Sequence, residues 1–560
     1  MNLRTSPYGK NRAQPPFRRP VRQAVVVAAF AAVSALVLSG CSPVESTAGT
    51  VDETLFAGQN LGATAAAADV SVGGTLVFAL SNDPGVLDPT FSNAIVGKHI
   101  FASMCESLYT VTGDGGFAPV LATEAPTISD DGLTYTIPLR EDAVFSDGEP
   151  LTAASVVASI ERNKTAEGSL RASELAAVER AEATDEYTVV LHLSKVSAPL
   201  LSVLADRPGM PLSTNAMAGD FGAAPSCVGP FRYDSSIAQT SVELVKDPNY
   251  YDADKVFLDA ISFRVITDAS VRLANLRSGD VQVADRLPAS QAAALLEDKD
   301  VELLYSTSLG YQGVHVNLAN TNGVGSDPVA VDTTLASDPR VRQAFSMAID
   351  RQTLVDTVFD GAFLPACGPV SPATEYASEA TQACPEFDPE AAKALLDEVG
   401  IATPVPVTLS VQASEDASRY AQALQSNAAD AGFDVTINTL DFATVTSDQK
   451  IGNFDATLLG WAGRTDPDGS IAPFFLSTGS QNYTGYHSEE MDALLADSVS
   501  TTDIAERTET YAQIVELLQE DNPYIYLYRE RNFVGQGTST AGVITDPTSV
   551  VNVSFAGFLK

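Results

Sequence analysis

The sequence has little positive charge, because 33 lysine and arginine residues stand against 71 aspartate and glutamate residues, for a formal net charge of −38. A protein that binds nucleic acid needs a basic surface to neutralise phosphates, so the composition argues against that class. An anionic membrane surface would also repel this chain. We interpret the acidic excess as a solvated surface that keeps an exported protein soluble.

Histidine is also scarce, with four residues in a chain of 560. They are His99, His192, His315 and His487. None belongs to an H-E-x-x-H motif, no G-x-S-x-G turn occurs, and no glycine pattern for nucleotide phosphates stands out. We therefore predict no enzyme activity, no catalytic residue, no cofactor and no metal site, with a secreted hydrolase as a distant alternative. His315 alternates with two valines in a predicted strand and is expected to be structural.

The chain has only one long apolar run, residues 24–38, and this run is shorter than the roughly 20 residues that a membrane-spanning helix needs. Basic residues precede it, and two small residues lead into Cys41. This is the layout of a secretory signal. The sequence L-S-G-C also resembles a bacterial lipobox, which implies cleavage before Cys41 and lipidation of its thiol. An uncleaved anchor or an ordinary signal is the alternative.

These features predict a lipid-anchored, extracytoplasmic protein. Residues 1–40 form the signal peptide, and residues 41–71, rich in Ala, Gly, Ser and Thr, form a flexible tether. The predicted location is the outer face of the bacterial cytoplasmic membrane, where the lipid on Cys41 holds the mature chain.

Tryptophan is represented by one residue, Trp461, in the informative stretch of residues 455–472. A short apolar run before Trp461 predicts a strand, and a proline after it stiffens the following turn. The turn brings the indole, the Arg464 guanidinium and the carboxylates of Asp466 and Asp468 within eight residues. An indole face can cover a ligand, and arginine can bind a carboxylate through two parallel hydrogen bonds. The alternative is a core tryptophan beside solvated charges.

A second informative segment, residues 121–162, reads LATEAPTISDDGLTYTIPLREDAVFSDGEPLTAASVVASIER. Asp-Asp-Gly predicts a hairpin turn, the alternating apolar residues predict a half-buried strand, and Thr152 predicts the cap of a helix over residues 153–162. The segment closely resembles the signature of the peptide- and nickel-type solute-binding proteins of ABC importers, family 5. It departs from that signature at Pro138, at Ser146 and in lacking an early tryptophan.

The resemblance continues in family order over roughly residues 73–560. The matching segments are 229–231, 247–251, 272–285, 338–351, 388–400 and 521–527. The resemblance implies an α/β, two-lobed periplasmic-binding-protein-like fold of the cluster C type, with an extra subdomain in lobe I. The implied ranges are 72–108, 215–308 and 530–560 for lobe I, 109–214 for the extra subdomain and 309–529 for lobe II.

The resemblance also implies a function that needs no covalent chemistry. The protein would capture a peptide or a similar small solute in the cleft between the lobes and deliver it to a membrane permease with its ATPase. It would act as a monomer. A receptor for nickel, haem or another chelate is the alternative within the family, which four scattered histidines neither support nor exclude.

The family pattern places ligand contacts near the tryptophan. In peptide-binding members, a carboxylate three residues after this tryptophan pairs with the ammonium group of the ligand. Arg464 occupies that position here and suits a carboxylate or phosphate instead. Asp466 or Asp468 could supply the ammonium partner through a shifted turn. An internal salt bridge from Arg464 to either aspartate is the alternative.

Backbone contacts complete the implied site. Gly460 and Ala462, on either side of Trp461, match positions whose backbone pairs with an extended ligand like an added strand. Asn93 and Ala94 match the first-lobe wall of the cleft.

Four cysteines remain after Cys41, and export permits disulfide bonds. Four cysteines allow three pairings. We favour Cys367–Cys384, which spans a proline-containing loop, and Cys105–Cys227, whose members both fall in the implied lobe I. The thiols are scattered and form no C-x-x-C motif, so a catalytic or metal role is not predicted.

Overall fold

The structure is a computed structural model that describes residue 56 and residues 58–560, apart from residues 93, 114 and 115. The predicted signal peptide, Cys41, Asn93 and most of the predicted tether therefore lie outside the described residues. In the described part of the chain, no helix has both the length and the apolar character needed to cross a bilayer.

A seven-stranded sheet forms the centre of the first lobe. In spatial order its strands are Val301–Thr307, Arg531–Gly537, Val283–Ala284, Thr75–Leu80, Ala260–Val265, Ser241–Lys246 and Phe231–Ile237. Thr75–Leu80 runs parallel to Ala260–Val265 and Val283–Ala284, and the other neighbouring strands are antiparallel. Leu76, Phe78 and Leu80 alternate along the central strand and are fully buried, so one face of this sheet carries a hydrophobic core.

The extra subdomain is built on a four-stranded antiparallel sheet. Its strands are Thr127–Ile128, Thr134–Pro138, Thr188–Leu193 and Val178–Ala183. The helix Ala153–Thr165 begins with a capping box, in which the Thr152 hydroxyl accepts from the Ser155 amide and the Ser155 hydroxyl accepts from the Thr152 amide. The predicted helix start is confirmed, and the helix ends three residues later than predicted.

A six-stranded sheet forms the centre of the second lobe. In spatial order its strands are Leu364–Pro365, Tyr524–Arg529, Gln312–Val316, Ala456–Leu458, Val405–Gln412 and Phe433–Leu440. Val405–Gln412 runs parallel to both Ala456–Leu458 and Phe433–Leu440. The carboxyl ends of these three strands therefore meet at one edge of the sheet, which is where ligands bind in many α/β folds. The predicted strand of residues 455–472 ends at this edge and leads into Trp461.

Short strands and helices complete the fold. The short strands pair as Val70–Ser71 and Thr540–Ala541 with Gly557–Leu559, Ile544–Thr545 with Val551–Asn552, and Tyr109–Val111 with Phe117–Pro119. The remaining helices of the first lobe and subdomain are Ile95–Met104, Leu200–Leu204, Thr214–Met217, Ala269–Ser278 and Ala292–Leu295, with 3-10 turns at Arg207–Gly209, Ala253–Lys255 and Ala289–Gln291. The second lobe contains Thr334–Ser337, Pro339–Met347, Arg351–Phe359, Pro389–Glu398, Glu415–Asp430, Phe442–Ile451, Asp468–Phe475, Glu489–Ser498 and Ile504–Asp521.

Each strand of the three large sheets falls inside the residue range that the sequence predicts for its lobe or for the extra subdomain. The boundaries between the units stay predictions.

The chain crosses between the two large sheets twice, and a buried arginine ties the crossings together. The first crossing is residues 307–312 and the second is residues 529–531. Arg529 is 2% exposed, and its guanidinium donates to two carbonyl oxygens of the first crossing and to two in the loop of residues 368–370. Because four backbone carbonyls satisfy this buried charge, we infer that Arg529 fixes the geometry of the crossings.

The structure contains both of the disulfide bonds favoured from the sequence. Cys105–Cys227 lies within the first lobe and Cys367–Cys384 lies within the second. Neither bond spans the crossings, so neither restricts a hinge motion of one lobe against the other.

His315 is a structural residue, as predicted. It lies in the strand Gln312–Val316, is 4% exposed, and meets the ring of Tyr524 edge-on at 4.5 Å between centroids. Burial lowers the pKa of His315 to about 3, so its ring is neutral at physiological pH.

Candidate functional site

The segment of residues 460–464 runs along the first crossing between the lobes. The Trp461 amide donates to the Tyr311 carbonyl and the Tyr311 amide donates to the Trp461 carbonyl, each at 2.9 Å. Since successive residues of an extended chain direct their backbone groups to opposite sides, the amides of Gly460 and Ala462 point away from Tyr311. In the described chain neither amide donates a hydrogen bond. Backbone pairing with an extended ligand requires this arrangement.

Glycine is required where this segment meets the crossing. A Cβ on Gly460 would lie 2.2 Å from the Tyr311 carbonyl oxygen, and a Cβ on Gly310 would lie 2.1 Å from the Trp461 carbonyl oxygen. Gly463 adopts a φ of +80°, and its Cβ would lie 2.2 Å from the Leu309 carbonyl carbon. The candidate ligand segment therefore touches the hinge directly, backbone against backbone.

Arg464 lies against the indole of Trp461. Its guanidinium carbon is 4.5 Å from the ring centroid, and one of its nitrogens donates to the Gly463 carbonyl at 2.8 Å. Among the described residues, Arg464 forms no ion pair with a carboxylate. The alternative of an internal salt bridge from Arg464 to Asp466 or Asp468 is therefore wrong.

Asp466 is held by a different arginine. Its two carboxylate oxygens accept hydrogen bonds from the two terminal nitrogens of Arg507, each at 2.8 Å, and Tyr511 donates to the same carboxylate at 3.2 Å. Asp466 is 6% exposed and Arg507 is 2% exposed. Arg507 and Tyr511 therefore already compensate the charge of this carboxylate, which gives Asp466 a structural role and makes it a weaker candidate than Asp468 for an ammonium group. The contact of Asp466 with the ligand stays a prediction.

Asp468 remains as the predicted partner for an ammonium group. It begins the helix Asp468–Phe475, and no side-chain hydrogen bond to its carboxylate occurs within the described residues. Burial and the nearby charge of Asp466 raise the pKa of Asp468 to about 7, against the opposing influence of Arg507 and Lys195. An ammonium group from a solute would stabilise the charged form of the Asp468 carboxylate.

The facing wall comes from the first lobe and the extra subdomain. The helix Ile95–Met104 carries Lys98, whose Nζ lies 2.8 Å from Oδ2 of Asp206. Ala94, which the resemblance places at this wall, precedes the first turn of the helix, four residues before Lys98.

Two buried arginines support this wall. Arg171 and Arg207 are each 3% exposed, and both donate to the Ser92 carbonyl oxygen, at 3.5 and 2.6 Å. Arg171 also pairs with Glu174 at 2.9 Å. Sequence reasoning missed the charged residues of this wall because they lie on separate segments and share no periodicity.

Charges from both lobes influence one another at this site. Burial lowers the pKa of Lys98 and of Arg464, and it lowers that of Arg171 to about 10. Burial alone would raise the pKa of Asp206, but the nearby charges of Lys98, Arg207 and Arg464 hold it below its usual value. The charges of Arg464 in the second lobe and Asp206 in the extra subdomain therefore influence each other across the space between the lobes. We call these facing surfaces the interlobe site.

The lobes are in contact in this structure. The Ala198 amide of the extra subdomain donates to the Val499 carbonyl of the second lobe at 3.4 Å. A pocket between them is lined by Phe117 of the extra subdomain, Thr465 of the second lobe and Pro547 of the first lobe. Its volume is about 20 Å³, which is room for about one water molecule. The lobes therefore touch each other here, and we expect a solute to enter by opening of the lobes.

The site presents charged and hydrogen-bonding groups from both lobes. Groups of three or more His, Cys, Asp or Glu residues arranged to hold a metal ion are absent from the described part of the chain. The indole Nε1 of Trp461 is buried and has no acceptor among the described residues, so this donor is left without a partner.

The raised pKa of Asp468 predicts a pH dependence of stability. Its pKa of about 7 exceeds the unfolded value of about 3.9, so the folded chain binds one more proton than the unfolded chain between these pH values. We expect the melting temperature of Asp468→Asn to exceed that of the wild type at pH 8, where the wild-type carboxylate is charged. The difference should shrink as pH falls through 7 and vanish near pH 4. A pH-independent difference would contradict the assignment.

A family model described as bacterial extracellular solute-binding proteins, family 5 middle, matches residues 116–482. The glutathione-binding protein GsiB of Salmonella typhi is 29% identical over 471 residues, which cover 81% of this chain and 89% of that protein.

Solved structures resemble the chain over most of its length. The binding protein AgaA in complex with agropinic acid, from A. tumefacien R10, is 27% identical with a TM-score of 0.71 and covers 86% of this chain and 96% of its own. The oligopeptide-binding protein AppA of Bacillus subtilis, in complex with a nonapeptide, is 22% identical with a TM-score of 0.74, covers 88% of this chain and 100% of its own, and shows the fold alone.

Proposed function

Since the chain belongs to the bacterial extracellular solute-binding proteins of family 5, we propose that it captures a small peptide or peptide-like solute that bears a carboxylate. Capture occurs in the interlobe site, with Arg464 as the anchor for the carboxylate. The family and the two-lobed α/β fold predicted from the sequence are confirmed. The predicted role as the substrate-binding protein of an ABC importer is confirmed at the level of the family, which consists of binding proteins.

The environment of Arg464 is the observation that carries this proposal. Its guanidinium lies on the Trp461 face and has no carboxylate partner among the described residues. An arginine that is largely removed from water favours a ligand carboxylate, because the two parallel hydrogen bonds replace lost hydration. The pKa of Arg464 is lowered by burial, so its charge is under-compensated when no solute is bound.

Three other groups support the binding of an extended, peptide-like solute. The free amides of Gly460 and Ala462 favour pairing with a ligand backbone. The Trp461 indole offers a further donor, and Asp468 offers a carboxylate for an ammonium group. We propose Ala94, and Asn93 beside it, as the first-lobe contacts that the family resemblance implies.

Closure of the lobes is the proposed mechanism of capture. Two-lobed periplasmic binding proteins are a general example of domains that close on a hinge around a ligand. A solute can hold the lobes closed only if it binds the closed form more tightly than the open form. Contacts from Arg464 on one lobe and from the facing wall on the other supply that difference.

The proposal includes the membrane context. We propose that residues 1–40 are removed as a signal peptide and that lipid on Cys41 anchors the mature, monomeric chain to the outer face of the bacterial cytoplasmic membrane. The captured solute then passes to an ABC permease with its ATPase. The relatives named for glutathione and agropinic acid support a small acidic solute over a long peptide.

The test uses the fluorescence of Trp461, the only tryptophan in the chain. Glutathione and Ala-Ala-Ala are titrated into the purified protein, because both are short, carry a carboxylate and carry an ammonium group. We expect a saturable change in emission together with a rise in melting temperature. Failure of both peptides to change either signal would contradict capture of a small peptide.

A glycine beside Arg464 provides a test of its position. A Cβ on Gly469 would lie 2.8 Å from Cγ and 3.0 Å from Cβ of Arg464, so Gly469→Ala displaces the guanidinium from the indole. We expect the affinity for the peptide that binds to fall about tenfold, the cost of one weakened charged hydrogen bond. The melting temperature should also fall, because Arg464 has to shift at Cβ and Cγ. Gly219→Ala is the control, since its Cβ would lie 3.8 Å from the nearest atom. Equal affinities of both variants would contradict the role of Arg464.

A further inference from the structure

We propose that the solute carries two carboxylate groups and a net negative charge, with one carboxylate bound by Arg464 and the other by Lys98. This inference rests on the proposed function and assigns the chemical class of its solute. It makes Lys98 a specificity residue on the wall opposite Arg464.

The charges of the interlobe site are unequal in number. Six side chains influence one another electrostatically across the space between the lobes, namely Lys98, Arg171, Arg207, Arg464, Glu174 and Asp206. Four are cations and two are carboxylates, which leaves two positive charges uncompensated. The charge of Asp546, in the C-terminal loop, interacts with that of Lys98 and lowers the excess to one. Asp468 and Lys195, which also influence each other, add no net charge. A positive site in a chain with a net charge of −38 is a local feature that favours an anion.

The two carboxylates within the site are already paired. Asp206 accepts from Lys98 at 2.8 Å, and its other oxygen lies 3.6 Å from Nε of Arg207. Glu174 pairs with Arg171 at 2.9 Å. Neither carboxylate therefore compensates Arg464 by direct contact, and a solute is the remaining source of negative charge.

Accessibility selects which cations can meet the solute. Arg171 and Arg207 are each 3% exposed and donate to the Ser92 carbonyl oxygen, so they contribute charge but little contact. The side chain of Lys98 is 16% exposed. Its ammonium group has three donors, of which the bond to Asp206 uses one. Of these four cations, Lys98 and Arg464 therefore have donors left for a ligand, and they lie on opposite walls.

This placement gives the second carboxylate a part in closure. A solute with one carboxylate satisfies Arg464 in the second lobe and leaves Lys98 in the first lobe unchanged. A solute with two carboxylates contacts both walls only when the lobes are closed, so it binds the closed form more tightly. Burial lowers the pKa of Lys98 as it does that of Arg464, and a second anionic group would stabilise both charges.

The test compares three small molecules of one length: succinate with two carboxylates, succinamate with one and succinamide with none. Each is titrated against Trp461 fluorescence at constant ionic strength, since exposed charges are screened by salt. We expect succinate to bind at least tenfold more tightly than succinamate, and succinamide to bind more weakly still. Succinate and succinamate binding equally, or neither changing the emission, would overturn the inference.

Substitutions at Lys98 identify the contact. Lys98→Met keeps the length of the side chain and should remove the difference between succinate and succinamate, whereas Lys98→Arg should keep it. A double variant that combines Lys98→Met with Asp206→Asn also removes the aspartate charge that Lys98→Met leaves unpaired. This double variant should bind succinate and succinamate with equal affinity. Lys393→Met is the matched control, because Lys393 is on an exposed helix face with Glu390. A Lys98→Met variant that still prefers succinate tenfold would overturn the assignment.

The same titrations separate this inference from the proposed function. Glutathione has two carboxylates, and Ala-Ala-Ala has one. If both peptides bind equally and succinate shows no advantage, the inference falls and capture of a small peptide stands. If succinate is preferred but neither peptide binds, the inference stands and the peptide assignment falls.

Discussion

The substitution Arg464→Gln is expected to lower the affinity for the peptide that binds, glutathione or Ala-Ala-Ala, about 100-fold. Charged hydrogen bonds contribute roughly 1.5–3 kcal/mol each, and the arginine–carboxylate pair forms two of them in parallel. Glutamine retains much of the side-chain stem over the Trp461 indole but loses the charge and the forked donors. Isothermal titration calorimetry at low and high salt measures the loss, and the wild-type affinity should fall more steeply with salt than that of the variant.

A surface arginine supplies the control for this experiment. Arg340 pairs with Asp338 at 2.8 Å, and its side chain is 49% exposed. Arg340→Gln changes the net charge of the protein by the same amount, so it reports any general electrostatic effect. We expect Arg340→Gln to bind the peptide with the same affinity as the wild type. If Arg464→Gln bound as tightly as Arg340→Gln, the carboxylate anchor would have to lie elsewhere.

The second large effect is on stability, from the ion pair of Asp466 and Arg507. The two side chains are 7% and 2% exposed, and the guanidinium also contacts the hydroxyl groups of Tyr376 and Tyr511. Removing one partner leaves the other charge buried without compensation, which costs about 3–5 kcal/mol in such pairs. We expect Arg507→Met to lower the free energy of unfolding of the second lobe by that amount in urea titrations.

Two comparisons make this prediction specific. Adding Asp466→Leu to Arg507→Met removes the stranded charge, so the double variant should recover a large part of the lost stability. Glu390→Gln breaks an exposed pair with Lys393, whose side chains are 82% and 43% exposed, and should cost less than about 1 kcal/mol. A similar small loss for Arg507→Met would show that Asp466 is not held by this pair and is available to a ligand.

Local signals in the sequence account for what could be predicted. The Thr152 cap and the strand before Trp461 each depend on neighbouring residues, and the structure contains both. The pairing of Cys367 with Cys384 also follows from a short separation. Such features need no knowledge of distant parts of the chain, so a single sequence is sufficient to predict them.

The distribution of charges depends on contacts that the sequence does not reveal. Asp466 lies two residues from Arg464 in the sequence, but its partner Arg507 is 41 residues away on another helix. Lys98 and Asp206 are separated by 108 residues and meet only because the extra subdomain packs on the first lobe. Which carboxylate is saturated and which cation is free is decided by this packing, so the sequence predicted the segment of the site but not all of its residues.

The most direct measurement is native mass spectrometry of the purified protein before and after mild denaturation and refolding. We expect a small acidic solute in the protein as purified, its release on denaturation, and its absence from Arg464→Gln prepared in the same way. The result that would contradict capture through Arg464 is a wild-type protein that carries no solute and rebinds neither glutathione nor Ala-Ala-Ala. A metal chelate retained equally by the wild type and by Arg464→Gln would also contradict it.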